Sequence, residues 1–316
     1  GRGRKLRPQQ PPLMRRRRLA KPRKGAPKKK TMSSLPVPLR FHKMHGAGND
    51  FVLIDARGGA EVFDPRHASR IADRHLGIGC DQILVLRDAQ RAGCRLRYEI
   101  WNADGSPAAQ CGNGARCVGL YLELSGETGA EPFTLESPAG PVTLTRCADG
   151  EYEVAMGEPD FRPEAVPLSL EETLAAREGR YRLDSPWGPL ELGAVSMGNP
   201  HALLLVDDID DPRTPELGAW ISTHAAFPAG CNAGFAQVLG PETIRLRVVE
   251  RGAGETLACG SGACAAVAIL RRWGRVGGTV EVLLPGGLLV IKWPEAEGPV
   301  AMKGPAEHVY RGSLND

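Results

Sequence analysis

The chain has 316 residues, 42% of them hydrophobic, enough for two domains with a core each. A formal charge of +3 hides an asymmetry: residues 1–30 hold fourteen Lys or Arg and no acid, leaving 26 basic against 37 acidic residues, a net of −11, in the remainder. No apolar run reaches the length of a membrane span, the best candidate being Ala263 to Leu270. The eight cysteines form no Cys-x-x-Cys pair, and they read as free thiols of a reducing compartment, not as disulfides or metal ligands.

Residues 1–38 are rich in Pro, Gly, Lys and Arg without an apolar period, so they are expected to be a disordered basic tail. Such a tail could touch nucleic acid or an anionic membrane, but the acidic body offers no continuation of that surface. Neither partner is expected, and residues 1–31 are expected to lie outside the working protein, with Met32 the natural first residue. From Leu39 the chain alternates short strands, turns and modest helices. Phe51 to Ile54 reads as a short apolar run, Pro65 to His75 as a helix and Ile83 to Leu86 as a strand. Segments at Phe133, Val142 and Tyr152 alternate like an antiparallel meander. A linker rich in Pro, Glu and Gly is expected at Gly157 to Pro167, and Glu171 to Arg180 suits either a helix or a mobile insertion. The second half offers strands at Ala202 to Val206, Ala219 to Thr223, Ile244 to Val249, Thr279 to Leu284 and Leu288 to Trp293.

One motif occurs twice. Cys111 in QCGNGARCVG and Cys259 in ACGSGACAAV each open a Gly-x-Gly turn followed by an apolar stretch, which reads as a buried helix with a thiol at its N-terminus. Upstream, Arg95-Leu96-Arg97 returns as Arg245-Leu246-Arg247 at nearly the same offset, so one strand–turn–helix unit is used twice. The fold class expected is α+β with two pseudosymmetric halves. Lowering a free thiol from about pH 8.5 to 7 takes roughly 2 kcal/mol, about what a helix N-terminus supplies. The N–H groups of Gly112 and Asn113, and of Gly260 and Ser261, form anion sites suited to a carboxylate. If both helices share one carboxylate, the α-carbon beside it lies between the sulfurs, and one thiolate could remove a proton while the opposite thiol returns one.

HGAGNDF (45–51), GIGCDQ (77–82), WNADGS (101–106), QCGNGARC (110–117), GNPH (198–201), ERGAGETLACGSGAC (250–264) and HVY (308–310) together resemble the diaminopimelate epimerase family along most of residues 41–310. The resemblance implies two pseudosymmetric domains, each a curled, mainly antiparallel sheet around a central helix. It places them at 39–157, joined by a returning strand at 306–316, and at 158–305. It implies a cytoplasmic homodimer that needs no cofactor or metal and takes a small-molecule substrate, interconverting LL- and meso-diaminopimelate on the route to lysine and peptidoglycan precursors. By position, Cys111 and Cys259 match the acid/base pair. Asn49, Gln82, Asn102, Asn113, Asn199, Asn232, Glu250 and Arg251 match substrate contacts, and His201 and Glu250 match groups that tune the thiols. Arg251 could grip a distal carboxylate bidentately.

The residues leave alternatives open. Asn102, Asn199 and Asn232 each also suit a turn, His201 a packing role and Glu250 a surface charge at a strand end. Cys117 and Cys264 are expected to fill core. Cys80 and Cys231 depart from the family pattern and would add oxidisable thiols near the site. A proline racemase-like enzyme would share the two-thiol chemistry without needing Arg251, and a thiol redox protein would leave the Asn set unexplained.

Overall fold

The computed structural model describes residues 38–108, 111–171, 173–175 and 179–315, so the expectations for residues 1–37 lie outside the described residues. The first half runs β1 (Leu39–Gly46), β2 (Asn49–Asp55), α1 (Ala68–Ala72), β3 (Gln82–Arg87), β4 (Cys94–Asn102), β5 (Pro107–Ala108), α2 (Gly112–Leu124), β6 (Phe133–Ser137), β7 (Gly140–Arg146) and β8 (Tyr152–Ala155). After β9 (Leu174–Ala175) and β10 (Arg180–Ser185) come β11 (Gly188–Ser196), β12 (Pro200–Leu205), α3 (Thr214–Ser222), β13 (Asn232–Gly240), β14 (Thr243–Glu250) and β15 (Gly254–Thr256). The chain continues through α4 (Gly260–Arg272), β16 (Thr279–Leu284), β17 (Gly287–Lys292), β18 (Ala301–Gly304) and β19 (Glu307–Leu314).

The pairings repeat step for step. β1–β2 is antiparallel, β2–β3 parallel, β3–β4 antiparallel and β4–β6 parallel; β11–β12, β12–β13, β13–β14 and β14–β16 follow the same sequence. β19 flanks β1 as β10 flanks β11, so the last strand completes the first half. β8 pairs with β18 and joins the two halves into one sheet. Helix α2 touches β1 and β2 as well as β7 and β8, so the sheet curls around it, and α4 is held in the same way by β11 to β14, β17 and β18.

Alternation along central strands builds the layers. On β3, Leu84 and Leu86 join the core around α2, whereas Ile83 and Val85 face α1 with Ile71 and Ala72. On β13 and β14, Ala236, Leu246 and Val248 pack on the α4 side, while Phe235 and Val249 face α3 with Ile221. A strand clothed on both faces must read as a continuous apolar run, as Ile83 to Leu86 does.

The structure corrects three element readings. The helix expected over 65–75 is a 3-10 turn at Pro65–His67 followed by five α-helical residues, because the Asp73 carboxylate takes the backbone N–H groups of His75 and Leu76, each at 2.7 Å, and turns the chain out. Ala219 to Thr223, expected as a strand, ends α3, whose start carries Pro215 and Glu216. The β10–β11 hairpin went unread. Of Glu171 to Arg180, Leu174–Ala175 pairs with β10 as a short strand, and residues 172 and 176–178 lie outside the described residues. Among the described residues no helix is long and apolar enough to cross a membrane.

Candidate active site

Each half carries its polar residues at the same end of its sheet. Asn49 opens β2, Gln82 opens β3 and Asn102 closes β4; Asn199 precedes β12, Asn232 opens β13 and Glu250 closes β14. Register makes these neighbours, Gln82 lying opposite Asn102 and His201 opposite Asn232. The next turn of chain in each half leads through a short hairpin strand, β5 or β15, into a cysteine and a helix of 13 residues.

Cys111 is the N-cap of α2, with extended backbone, and its sulfur accepts the Gly114 N–H at 3.3 Å. Cys259 is the N-cap of α4 in the same extended conformation, its sulfur 3.7 Å from Ser261 Oγ. None of Gly112, Gly114, Gly260 and Gly262 adopts the left-handed region, so the motif's glycines serve close approach and not a tight turn. A Cβ on Gly112 would lie 2.2 Å from Met302 Cε, and one on Gly260 would lie 2.9 Å from Met302 Sδ. The first residues of both helices thus press on the same methionine.

Hydrogen bonds tie the two helix starts together. Asn113 of α2 donates through Nδ2 to Asn49 Oδ1 at 3.2 Å and to the carbonyl of Ala258, the residue before Cys259, at 3.3 Å. Asn49 Oδ1 is also 3.7 Å from the Cys111 sulfur. From Cys259 a second chain runs through Ser261 to Asn199 Nδ2 at 3.4 Å, and from Asn199 Oδ1 to His201 Nε2 at 2.9 Å. Glu250 receives the Thr256 hydroxyl, and its charge bears on both thiols.

Burial decides the resting charges. It pushes the Cys111 thiol up to about 11, with the Gly114 N–H opposing and the Glu250 charge adding to the rise. Burial followed by the Glu250 charge carries Cys259 well above the usual thiol range, and burial also raises Glu250. His201, 2% exposed, is held neutral down to about 3 by burial and then by the charge of Arg251. The tendency towards thiolate expected of a helix N-terminus is therefore outweighed in this geometry by desolvation.

Other expected residues sit at the margin. Gln82 donates to Asn102 Oδ1 at 2.9 Å and Asn102 to Ser106 Oγ at 3.0 Å, a pair that among the described residues no hydrogen bond joins to the thiols. Arg251 is exposed, its guanidinium on the Ala229 carbonyl at 2.6 Å and its backbone N–H on Asn232 Oδ1 at 2.9 Å. Cys117 and Cys264 are buried in the core as expected. Cys80 and Cys231 are buried too, each pushed up to about 12 by burial, which removes them as ready targets of oxidation. Sequence reasoning passed over Asp81, which accepts from Asn49 Nδ2 at 2.9 Å, along with Thr256 and Arg116. All three lie inside the quoted motifs, where their polarity beside site residues was the available signal.

Two related halves, each setting a thiol at the start of its central helix, define a racemase-type fold. Solved structures bear this out at the level of fold: a probable proline racemase from Agrobacterium radiobacter K84 (19% identity, TM-score 0.63) and a hydroxyproline epimerase from Agrobacterium vitis (17%, TM-score 0.64) are each similar over 88% of this chain and 93% of theirs. The chain itself belongs to the diaminopimelate epimerase family, whose model matches residues 41–162 and 193–309. Its relatives include diaminopimelate epimerases of Xylella fastidiosa (strain 9a5c), 49% identical over 89% of this chain and 98% of that protein, and of Xanthomonas axonopodis pv. citri (strain 306), 50% identical over 88% and 96%. As a member of that family it is an enzyme, an isomerase.

Proposed function

We propose that the chain interconverts LL- and meso-diaminopimelate without a cofactor, Cys259 taking the α-proton of the L centre and Cys111 delivering one to the opposite face, with roles exchanged in reverse. The observation that carries this reading is the Asn113 bridge, which holds the α2 start against the residue before Cys259 while its partner Asn49 contacts Cys111. Because both resting thiols are neutral, one must first lose a proton. Glu250, whose charge acts on Cys259 and which is itself raised by burial, is the acceptor: the proton passes from Sγ to the carboxylate, leaving a thiolate. His201, neutral, orients Asn199, which holds Ser261 beside that sulfur. The helix N–H groups take the substrate carboxylate, Asn49, Gln82, Asn102, Asn199 and Asn232 supply donors and acceptors for its two amino-acid ends, and Arg251 takes the distal carboxylate.

The domain limits at 157/158 and 305/306, the cytoplasmic location and the role in lysine and peptidoglycan precursor synthesis belong to the same proposal. So does the homodimer, which exposed Leu124 (62%), Val309 (55%) and Tyr310 (44%) favour, and which sedimentation would test. The decisive experiment is incubation with LL-diaminopimelate in heavy water without added cofactor. Meso product carrying one α-deuterium is expected; product without deuterium, or none at all, removes the reading.

A further inference from the structure

We propose that Arg116 is the positioning residue of the thiol pair, a permanent cation locked between the two halves that holds Asn113 in its bridging pose and serves as counter-charge to the thiolate of Cys111. The inference rests on the two-thiol reading above.

Arg116 lies one turn into α2 and is fully buried, 0% exposed. Its Nη2 donates to Asn113 Oδ1 at 2.7 Å and its Nε to the Pro305 carbonyl at 3.0 Å, while Nη1 has no hydrogen-bond partner among the described residues. Among the described residues no carboxylate stands within ion-pair distance of it. Guanidinium stays protonated in proteins, so this is a buried charge without a fixed counter-ion, and such a charge is costly unless some state of the molecule supplies one. Space is made for it on purpose. A Cβ on Gly46 of β1 would lie 3.1 Å from Nη2, and one on Gly304 of β18 would lie 3.3 Å from Cζ, so a glycine from each half shapes the slot.

The groups whose ionisation Arg116 feels are Cys117, Cys111, Glu151 and Cys264. Cys117 and Cys264 are enclosed in apolar core, and burial holds both protonated, Cys264 at about 12 and Cys117 higher. Glu151 sits outside, towards Lys303. Cys111 alone of the three thiols keeps solvent contact and borders the site. When it gives its proton to the α-carbon it is left anionic, and Arg116 is the buried cation whose charge favours that anion. The Asn113 bond does the second task. By occupying Oδ1, Arg116 fixes which way the amide faces, so that Nδ2 reaches both Asn49 and Ala258.

The test compares wild type, Arg116→Gln and Arg116→Lys, reading iodoacetamide alkylation of Cys111 and Cys259 against pH by peptide mass spectrometry, together with kcat and KM. In Arg116→Gln the Cys111 alkylation profile is expected to move up by about one pH unit with Cys259 unmoved. In Arg116→Lys the charge remains and the Cys111 profile holds, but the fork to Asn113 is lost and kcat falls about tenfold or more at little-changed KM. An unmoved Cys111 profile in Arg116→Gln, or equal movement of both thiols, overturns the charge role. Wild-type kcat in Arg116→Lys overturns the positioning role, and does so even if the Gln variant fails to fold. Wild type that epimerises while the variants show those results sinks this inference alone; wild type without α-deuterium exchange sinks the functional reading beneath it.

Discussion

Cys111 and Cys259 have the same backbone setting and different neighbours. The first receives a backbone N–H and feels the charge of Arg116 as well as that of Glu250, whereas the second lies beside Ser261 and feels Glu250 alone of these charges. Replacing either by Ala is expected to lower turnover by about 10²–10⁴-fold or more with the fold retained, since under the proposed two-base scheme each supplies one of the two proton transfers. Normal epimerisation by either variant would end the two-base scheme. His201 gives a second residue-level expectation. Folded His201 stays neutral to about 3, but in the unfolded chain it takes up a proton near 6.5, so its contribution is whole above pH 6.5 and drains away as pH falls towards 3, at about 1.4 kcal/mol per unit. Urea titrations of His201→Asn across that window should show a flatter acid limb than wild type; an identical slope would mean that burial does not hold this ring neutral.

Helices α2 and α4 owe their positions to glycine as much as to their apolar faces. The thiols can stand at helix starts that meet because Gly112 and Gly260 leave Met302 room between them. Gly112→Ala, which must displace Met302 and Met156, is expected to destabilise by about 1–3 kcal/mol through overpacking. The cost should shrink when Met302 is shortened to Ala in the same chain, and calorimetry of the double-mutant cycle reads that coupling. Strict additivity would show that the two side chains do not compete for one space. The Gly-x-Gly spacing was legible in the sequence as a helix start. Its purpose was not, because a glycine needed for a tight turn and one needed for a distant side chain leave the same letter.

Across the described residues the last strand returns to the first, β19 lying along β1 from Leu39↔Leu314 to His45↔Glu307. Deleting residues 306–316 strips β1 to an open edge and removes Tyr310 from Phe41, whose rings stand 6.0 Å apart. The urea midpoint is expected to fall and light scattering to rise with concentration, and a peptide of residues 306–316 should restore the midpoint by strand addition. A truncated chain as stable as the parent would remove β19 from the folding unit. A second global expectation concerns alkali. Burial raises Cys80, Cys111, Cys117, Cys231, Cys259 and Cys264, so the unfolded chain releases protons near pH 9 that the folded chain keeps. Stability is then complete below about pH 9 and falls as pH climbs through 11 and beyond, which denaturant midpoints measured between pH 8 and 11 would read.

The doubled Cys-Gly-x-Gly motif, the repeated strand before it, the apolar run of β3 and the alternation of β14 were determined by the residues themselves, because periodicity and local capping chemistry act over a few positions of chain. Tertiary structure alone decided that both thiols rest protonated, and that a buried arginine on α2 reaches the Pro305 carbonyl far along the chain. Each of these depends on which distant groups share a space and how far water is shut out of it, and neither distance nor dielectric is written in the order of the letters.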